Sequence, residues 1–66
     1  MNELRELSSE EQAAIKKYAA ECGQLAYDAA HEIGDGFSNR AASSAVALAT
    51  VNAIDLVRKY GKLPGT

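Results

Sequence analysis

The sequence predicts an all-α protein, an antiparallel two-helix hairpin that assembles into a homo-oligomer. Two long segments show helical periodicity and capping residues, and a short glycine-containing link joins them. With 66 residues, the chain has too little apolar material for a comfortably stable core in one copy. Its single cysteine cannot form a disulfide within the chain to compensate. The predicted parts of this single domain, 1–66, are helix 1 at about 9–33, a turn at 34–38, and helix 2 at about 39–60.

Helix 1 is predicted to begin near Ser9, because Ser8 and Glu11 match a capping box. In that motif each side chain binds a backbone N–H that the first helical turn leaves unpaired. Gly34 is the expected left-handed residue after the last turn. Gly23 interrupts the helix at a cost of about 1 kcal/mol relative to alanine, so the backbones pack closely there or the helix is locally weak. Spacings of three and four predict a packing stripe. The stripe consists of Ile15, Tyr18, Cys22, Leu25 and Ala29.

Helix 2 follows a link with turn chemistry, G-D-G-F-S, in which Ser38 is the predicted cap. Gly61 and Pro64 are expected to close the helix. Such a short link makes the two helices antiparallel neighbours. One face of helix 2 repeats alanine every fourth residue, which lets another helix backbone approach closely. The repeated positions are Ala41, Ala45, Ala49 and Ala53.

The opposite face of helix 2 is also apolar at its centre. That centre consists of Ala47, Leu48, Val51 and Ile54, with Arg40 and Ser44 before it and Asp55, Arg58 and Lys59 after it. A helix that is apolar nearly all round is a buried helix, and in a two-helix chain another copy is needed to cover the second face. The simpler alternative, an alanine-rich helix selected for propensity, leaves Leu48 and Val51 in water.

Composition excludes several classes of function. A net charge of −2 and a pI of about 5.2 disfavour duplex nucleic acid, whose affinity comes largely from neutralised phosphates. Small anionic ligands held by a few cations remain possible. Cys22 and His31 are too few for a metal site, and a lone cysteine is typical of a reduced, cytosolic protein. No metal and no cofactor are expected.

No membrane partner is expected either. The first residues, MNELRELSSEEQ, are charged from the third position and lack the apolar core of a signal peptide. The most apolar window, 41–57, contains Asn52, Asp55 and two serines, and we expect it to fall short of a membrane span.

Catalysis is not expected, because the sequence offers no evident pair of nucleophile and base. Two clusters instead combine cations with an aromatic ring, an arrangement that can hold a phosphate and stack a base. They are Lys16 and Lys17 beside Tyr18, and Arg58 and Lys59 beside Tyr60. The alternative is an ordinary solvated face, which is what most charge runs are.

Three segments carry a family resemblance: LRELSSEE at 4–11, IKKYAAECGQL at 15–25, and Arg40 together with LVRKYGKLPG at 56–65. They resemble the helical-hairpin sponge proteins by which phages counter CBASS immunity, and a related hairpin occurs in some anti-Thoeris sponges. The resemblance implies interlocked hairpins that form a compact oligomer. It also implies sequestration of a cyclic oligonucleotide signal without cleavage, in the cytoplasm of an infected bacterial host.

The resemblance also implies a set of ligand-binding residues. Lys16 matches the lysine that contacts the nucleotide phosphates, and Arg40 and Arg58 keep the wide spacing of two family arginines. Leu4 stands where the family has a tyrosine that stacks on a base. The predicted ligand-binding residues are Lys16, Lys17, Tyr18, Arg40 and Arg58. The alternative function is a helical oligomer that inhibits or adapts a host protein by direct binding.

Overall fold

A computed structural model describes residues 6–34 and 36–64, which form two α-helices. Helix α1 spans Ser9–Ile33 and helix α2 spans Ser38–Tyr60. Ile15, near the start of α1, packs on Val57, near the end of α2, whereas Gly23, farther along α1, lies beside Val46. The helices therefore run antiparallel, and the predicted helical hairpin is confirmed for the described part of the chain.

Both ends of α1 follow the predicted capping. The backbone N–H of Ser8 donates to Glu11 Oε1 at 3.0 Å, and the N–H of Glu11 donates back to Ser8 Oγ at 3.1 Å. Gly34 ends the helix in the left-handed conformation, with φ 77°, and its N–H donates to the carbonyl of Ala30. Local sequence signals alone thus fix where α1 begins and ends.

The start of α2 differs from the prediction. Ser38 is the first helical residue rather than the cap, and Phe37 occupies the cap position without a side-chain hydrogen bond. The Phe37 carbonyl already accepts the first helical bond, from the N–H of Ala41 at 3.0 Å. Phe37 is half-buried and Ser38 is buried, so packing determines where α2 begins. The Ser38 hydroxyl lies one residue after the cap position and therefore does not cap the helix. Gly61 ends α2 as predicted, with φ 71°.

The contact face of α1 is rotated from the predicted stripe. Leu25 is 70% exposed and Ala29 is exposed, so neither packs on α2. Tyr18 and Cys22 are half-buried at the edge of the contact. The buried residues of α1 are Ile15, Ala19, Gly23 and Ala30. Leu25 was predicted to pack on α2 because it is strongly hydrophobic. Small side chains form most of the contact instead, because they allow the two helices to approach closely.

On α2 the alanine face packs against α1, as its spacing predicts. Ala49 and Ala53 are buried, Ala41 and Ala45 are half-buried, and Val57 completes the face with no exposed surface. The alanines therefore serve the contact between the two helices of one chain. On the outer side of α2, Leu48 and Val51 are 65% and 64% exposed. Ile54 was predicted for the same side, but it is half-buried and packs against the core of Ile15 and Val57.

By length and composition α2 is long and apolar enough to cross a membrane. The expectation that this segment falls short of a span is therefore wrong on that criterion. Core helices of soluble proteins pass the same test, so the finding is weak evidence about location.

Replacing Ser8 with alanine tests the N-terminal cap of α1. The change leaves the N–H of Glu11 without its partner, and we expect it to lower the free energy of unfolding by about 1 kcal/mol, the usual effect of losing an N-cap. Ser9→Ala is the matched control, because Ser9 is exposed and lies inside the helix. Urea unfolding followed by circular dichroism measures both; equal stabilities for the two variants would contradict the capping box.

Replacing Gly23 with alanine tests the close approach of the helices. The added Cβ would stand 2.5 Å from Val46 Cγ2, and valine has little rotamer freedom in a helix. Overpacking typically costs about 1–3 kcal/mol, which exceeds or cancels the gain of about 1 kcal/mol in helix propensity. In a double-mutant cycle, Val46→Ala should remove most of the penalty. A Gly23→Ala protein that is about 1 kcal/mol more stable than the parent would show that the backbones are not in close contact.

Candidate ligand-binding groove

A groove of about 280 Å³ lies at the end of the hairpin where α1 begins and α2 ends. The left-handed Gly61 stops α2, and the segment 62–64 then lines the same groove as the last turns of that helix. Asn52, Leu56 and Tyr60 follow one another at intervals of four residues, so they project along one side of α2. The lining consists of Tyr18, Asn52, Ala53, Leu56, Tyr60, Lys62, Leu63 and Pro64.

The groove combines two phenol rings with an ammonium group. Tyr18 is half-buried and packs on the core formed by Ile15, Ala53 and Val57, whereas Tyr60 is 69% exposed. Lys62 is exposed at the same groove. One ring is thus held by the core and the other is free to adjust, while the charge lies at the rim. A flat apolar ligand with an anionic substituent suits these groups.

Tyr18 also interacts with Cys22, which lies one helical turn farther along α1. A hydrogen bond with Cys22 and the negative charge of its thiolate raise the pKa of Tyr18 above its ordinary 10.0, and burial acts in the same direction. Since the pKa of Tyr18 lies above 10.0, Tyr18 is a neutral phenol over the physiological range, as an unperturbed tyrosine would be. Because its O–H is engaged with Cys22, Tyr18 offers its apolar ring face to a ligand.

The predicted cations fall into two places. Lys16 and Lys17 are exposed in the turn before Tyr18, and Arg58 is exposed at the same end of the hairpin. None of the three lines the groove, and Lys16 lies about 160° round α1 from Tyr18 at ~100° per residue. Arg40 is eighteen residues from Arg58 on α2, which is about 27 Å at 1.5 Å per residue. Within one chain, Arg40 therefore cannot share a site with the other predicted residues.

Several residues that line the groove were not predicted to bind a ligand. Asn52 and Leu56 are spaced by four residues from each other and from Tyr60, a pattern that could have identified a common stripe. Pro64 was expected only to follow the helix end, and Lys62 and Leu63 carried no separate signal. Their place depends on the path of the chain after Gly61, which no local motif determines.

Other polar groups in the described residues serve the helices themselves. Lys59 Nζ lies 3.3 Å from Asp55 Oδ2, the exposed ion pair that their spacing of four predicts. The rings of Tyr27 and His31 stack with centroids 6.0 Å apart. Among residues 6–34 and 36–64, no group of three histidine, cysteine or acidic side chains could hold a metal ion.

No family model, curated protein or solved structure matches this chain. The resemblance to phage sponges therefore rests on the three quoted segments. The groove is therefore the main structural support for a proposed function.

The interaction between Tyr18 and Cys22 predicts an alkaline titration. In a Tyr27→Phe/Tyr60→Phe background Tyr18 is the one tyrosine left of the three in the sequence, so phenolate absorbance reports it alone. We expect a midpoint above 10.0, and a fall toward 10.0 when Cys22→Ala is added. The stability supplied by the neutral phenol should be complete below pH 10.0 and be lost as pH rises through the raised pKa. A titration midpoint that is the same with Cys22 and with Cys22→Ala would contradict the interaction.

Proposed function

We propose that the protein is a non-enzymatic sponge of phage type, which binds and sequesters a small cyclic nucleotide immune signal in the cytoplasm of an infected bacterium. We propose further that it acts as a homo-oligomer. The groove is the observation that supports this best, because it joins two aromatic rings and a lysine at the end of the hairpin where Lys16 and Lys17 also lie. The quoted resemblance supports the same reading.

The groups of the groove match the parts of a nucleotide. Stacking of a base on an aromatic ring contributes about 1–3 kcal/mol and tolerates different bases. A charge-assisted hydrogen bond from a lysine to phosphate contributes about 1.5–3 kcal/mol. In this proposal Tyr60 stacks on a base and Lys62 neutralises a phosphate, and Lys16, the lysine that the resemblance implies, adds a second cation from the same end of the hairpin. A local cluster of this kind can bind a small anion although the whole chain is acidic.

Binding without cleavage also fits the position of the groove. His31, the one imidazole of the sequence, lies thirteen residues from Tyr18 along α1, which is about 20 Å. At that distance it cannot act as a general base on a ligand in the groove of the same chain. Hydrolysis of a phosphodiester there would lack an imidazole and, in the described residues, a metal cluster.

Direct binding to a host protein is the second candidate function. It is favoured by the outer side of α2, where Leu48 and Val51 are about two-thirds exposed. An amphipathic helix that presents such residues can pack into a hydrophobic groove or on another helix. The function would then be to inhibit or adapt that protein, and the groove would have no ligand.

A nucleotide-binding experiment separates the two functions. The purified protein is titrated calorimetrically with a panel of cyclic di- and trinucleotides, and its thermal unfolding is followed with each, since a ligand of the folded state raises stability. We expect one or more members to bind. Tyr60→Ala, Lys62→Ala and Lys16→Ala should each lower that affinity roughly ten- to a hundredfold.

The matched control is Tyr27→Ala, which removes the same side chain from a part of α1 outside the groove and should leave affinity unchanged. The bound nucleotide should be recovered intact after heating. Absence of heat and of thermal shift for the whole panel would favour direct binding to a host protein. Recovery of a cleaved product would overturn both candidates.

A further inference from the structure

The groove carries a different polar group toward each of its two ends. Of the lining residues on α2, Asn52 lies farthest from the end of the helix, whereas Lys62 follows the helix end after Tyr60. Asn52 and Tyr60 are eight residues or about 12 Å apart along α2, and Leu56 lies midway between them. A ligand in the groove therefore meets an uncharged amide at one end and an ammonium group at the other.

The amide of Asn52 is available to a ligand. Asn52 is exposed, and its side chain makes no hydrogen bond to another residue in the part of the chain that the structure describes. An asparagine side chain offers two N–H donors and one carbonyl acceptor. Asp55, three residues later, is outside the lining and is paired with Lys59. The amide end of the groove therefore has hydrogen-bonding capacity without a lining charge.

The two ends of the groove match the two ends of a nucleotide. A phosphate is held best by the cation, Lys62. A base that stacks on Tyr60 then lies over Leu56, with one edge toward Asn52. The reverse orientation would put the phosphate beside an uncharged amide and leave the ammonium group with the base. The groove thus gives a bound nucleotide a direction.

We infer that Asn52 binds the edge of the base and selects adenine. An asparagine amide pairs with adenine through two hydrogen bonds, donating to the ring nitrogen N7 and accepting from the amino group N6. Guanine presents two acceptors at the same edge and pairs best with arginine or lysine, but Lys62 lies at the phosphate end. The inference rests on the nucleotide groove proposed above, and it adds the direction of the ligand and the identity of its base.

Ligands that differ in one group of the base test this inference. AMP carries an amino group where IMP carries a carbonyl, and cyclic di-AMP and cyclic di-IMP differ in the same way. Each ligand is titrated calorimetrically into the full chain, and NMR follows the side-chain amide of Asn52. The adenine ligand of each pair should bind roughly tenfold or more tightly and shift the Asn52 amide signals, because the inosine ligand cannot donate to the amide oxygen.

Replacing Asn52 with alanine should remove the preference for adenine. Without the two hydrogen bonds the members of each pair should bind within about threefold of each other. Alanine favours helix and Asn52 is exposed, so the variant should keep the helix content of the parent by circular dichroism. Asn39→Ala is the matched control. It removes the same amide from an exposed position of α2 about 20 Å away and should leave the preference unchanged.

The outcomes separate the role of Asn52 from the proposed sponge. Equal binding of AMP and IMP by the parent, a preference that survives Asn52→Ala, or no binding of either adenine ligand would each overturn the inference. A preference for AMP that Asn52→Ala removes, without binding of any cyclic nucleotide, would refute the sponge alone. Binding of cyclic nucleotides regardless of their base would refute the role of Asn52 alone.

Discussion

The hairpin depends on the close approach of its two backbones where Gly23 of α1 meets Ala42 and Val46 of α2, since a Cβ on Gly23 would stand 3.4 Å from the Ala42 carbonyl oxygen. No side chain of α1 stands between the backbones at this point. Around Gly23 the helices are therefore held by many small dispersion contacts, whereas Ile15 and Val57 supply the larger side chains of the core at the other end. Ala19 and Ala53, both buried, continue the same geometry toward the other end. Leu25, Leu48 and Val51 lie outside this interface and are exposed.

The groove is a second consequence of the narrow interface. Ala53 is buried against α1 and also lines the groove, so one small side chain both allows the close contact and leaves space beside it. Tyr18 is too large for the centre of the interface and lies at its edge, where its ring forms part of the groove wall. A bulkier residue in place of Ala53 would fill the space and push Tyr18 outward. The residues that hold the fold together thus also shape the candidate site.

The parts of the structure that sequence could predict are those with local causes. The capping box of Ser8 and Glu11 and the glycines after each helix act within one turn, so their patterns suffice to locate the helix ends. The packing face of α1 could not be predicted in the same way, because the choice between Leu25 and Ala19 depends on how closely a partner helix approaches. The entry to α2 at Phe37 likewise depends on burial. In the groove, Tyr18 was predicted from its neighbouring lysines, whereas Lys62 and Pro64 come together with it through the path of the chain after Gly61.

The hairpin buries few large apolar residues and leaves others exposed on the outer face of α2. Apart from Ile15 and Val57, the buried hydrophobic residues of the described chain are alanines. Burial contributes about 25 cal/mol per Å² of apolar surface, so a core of alanines stabilises the hairpin only modestly. Leu48 and Val51 hold large apolar area that folding of one chain does not use. In the proposed homo-oligomer, covering that area with a second copy would add to the stability of so small a core, and the stability would then rise with protein concentration. In the proposed sponge, a nucleotide bound in the groove would add further to that stability, because it binds the folded state.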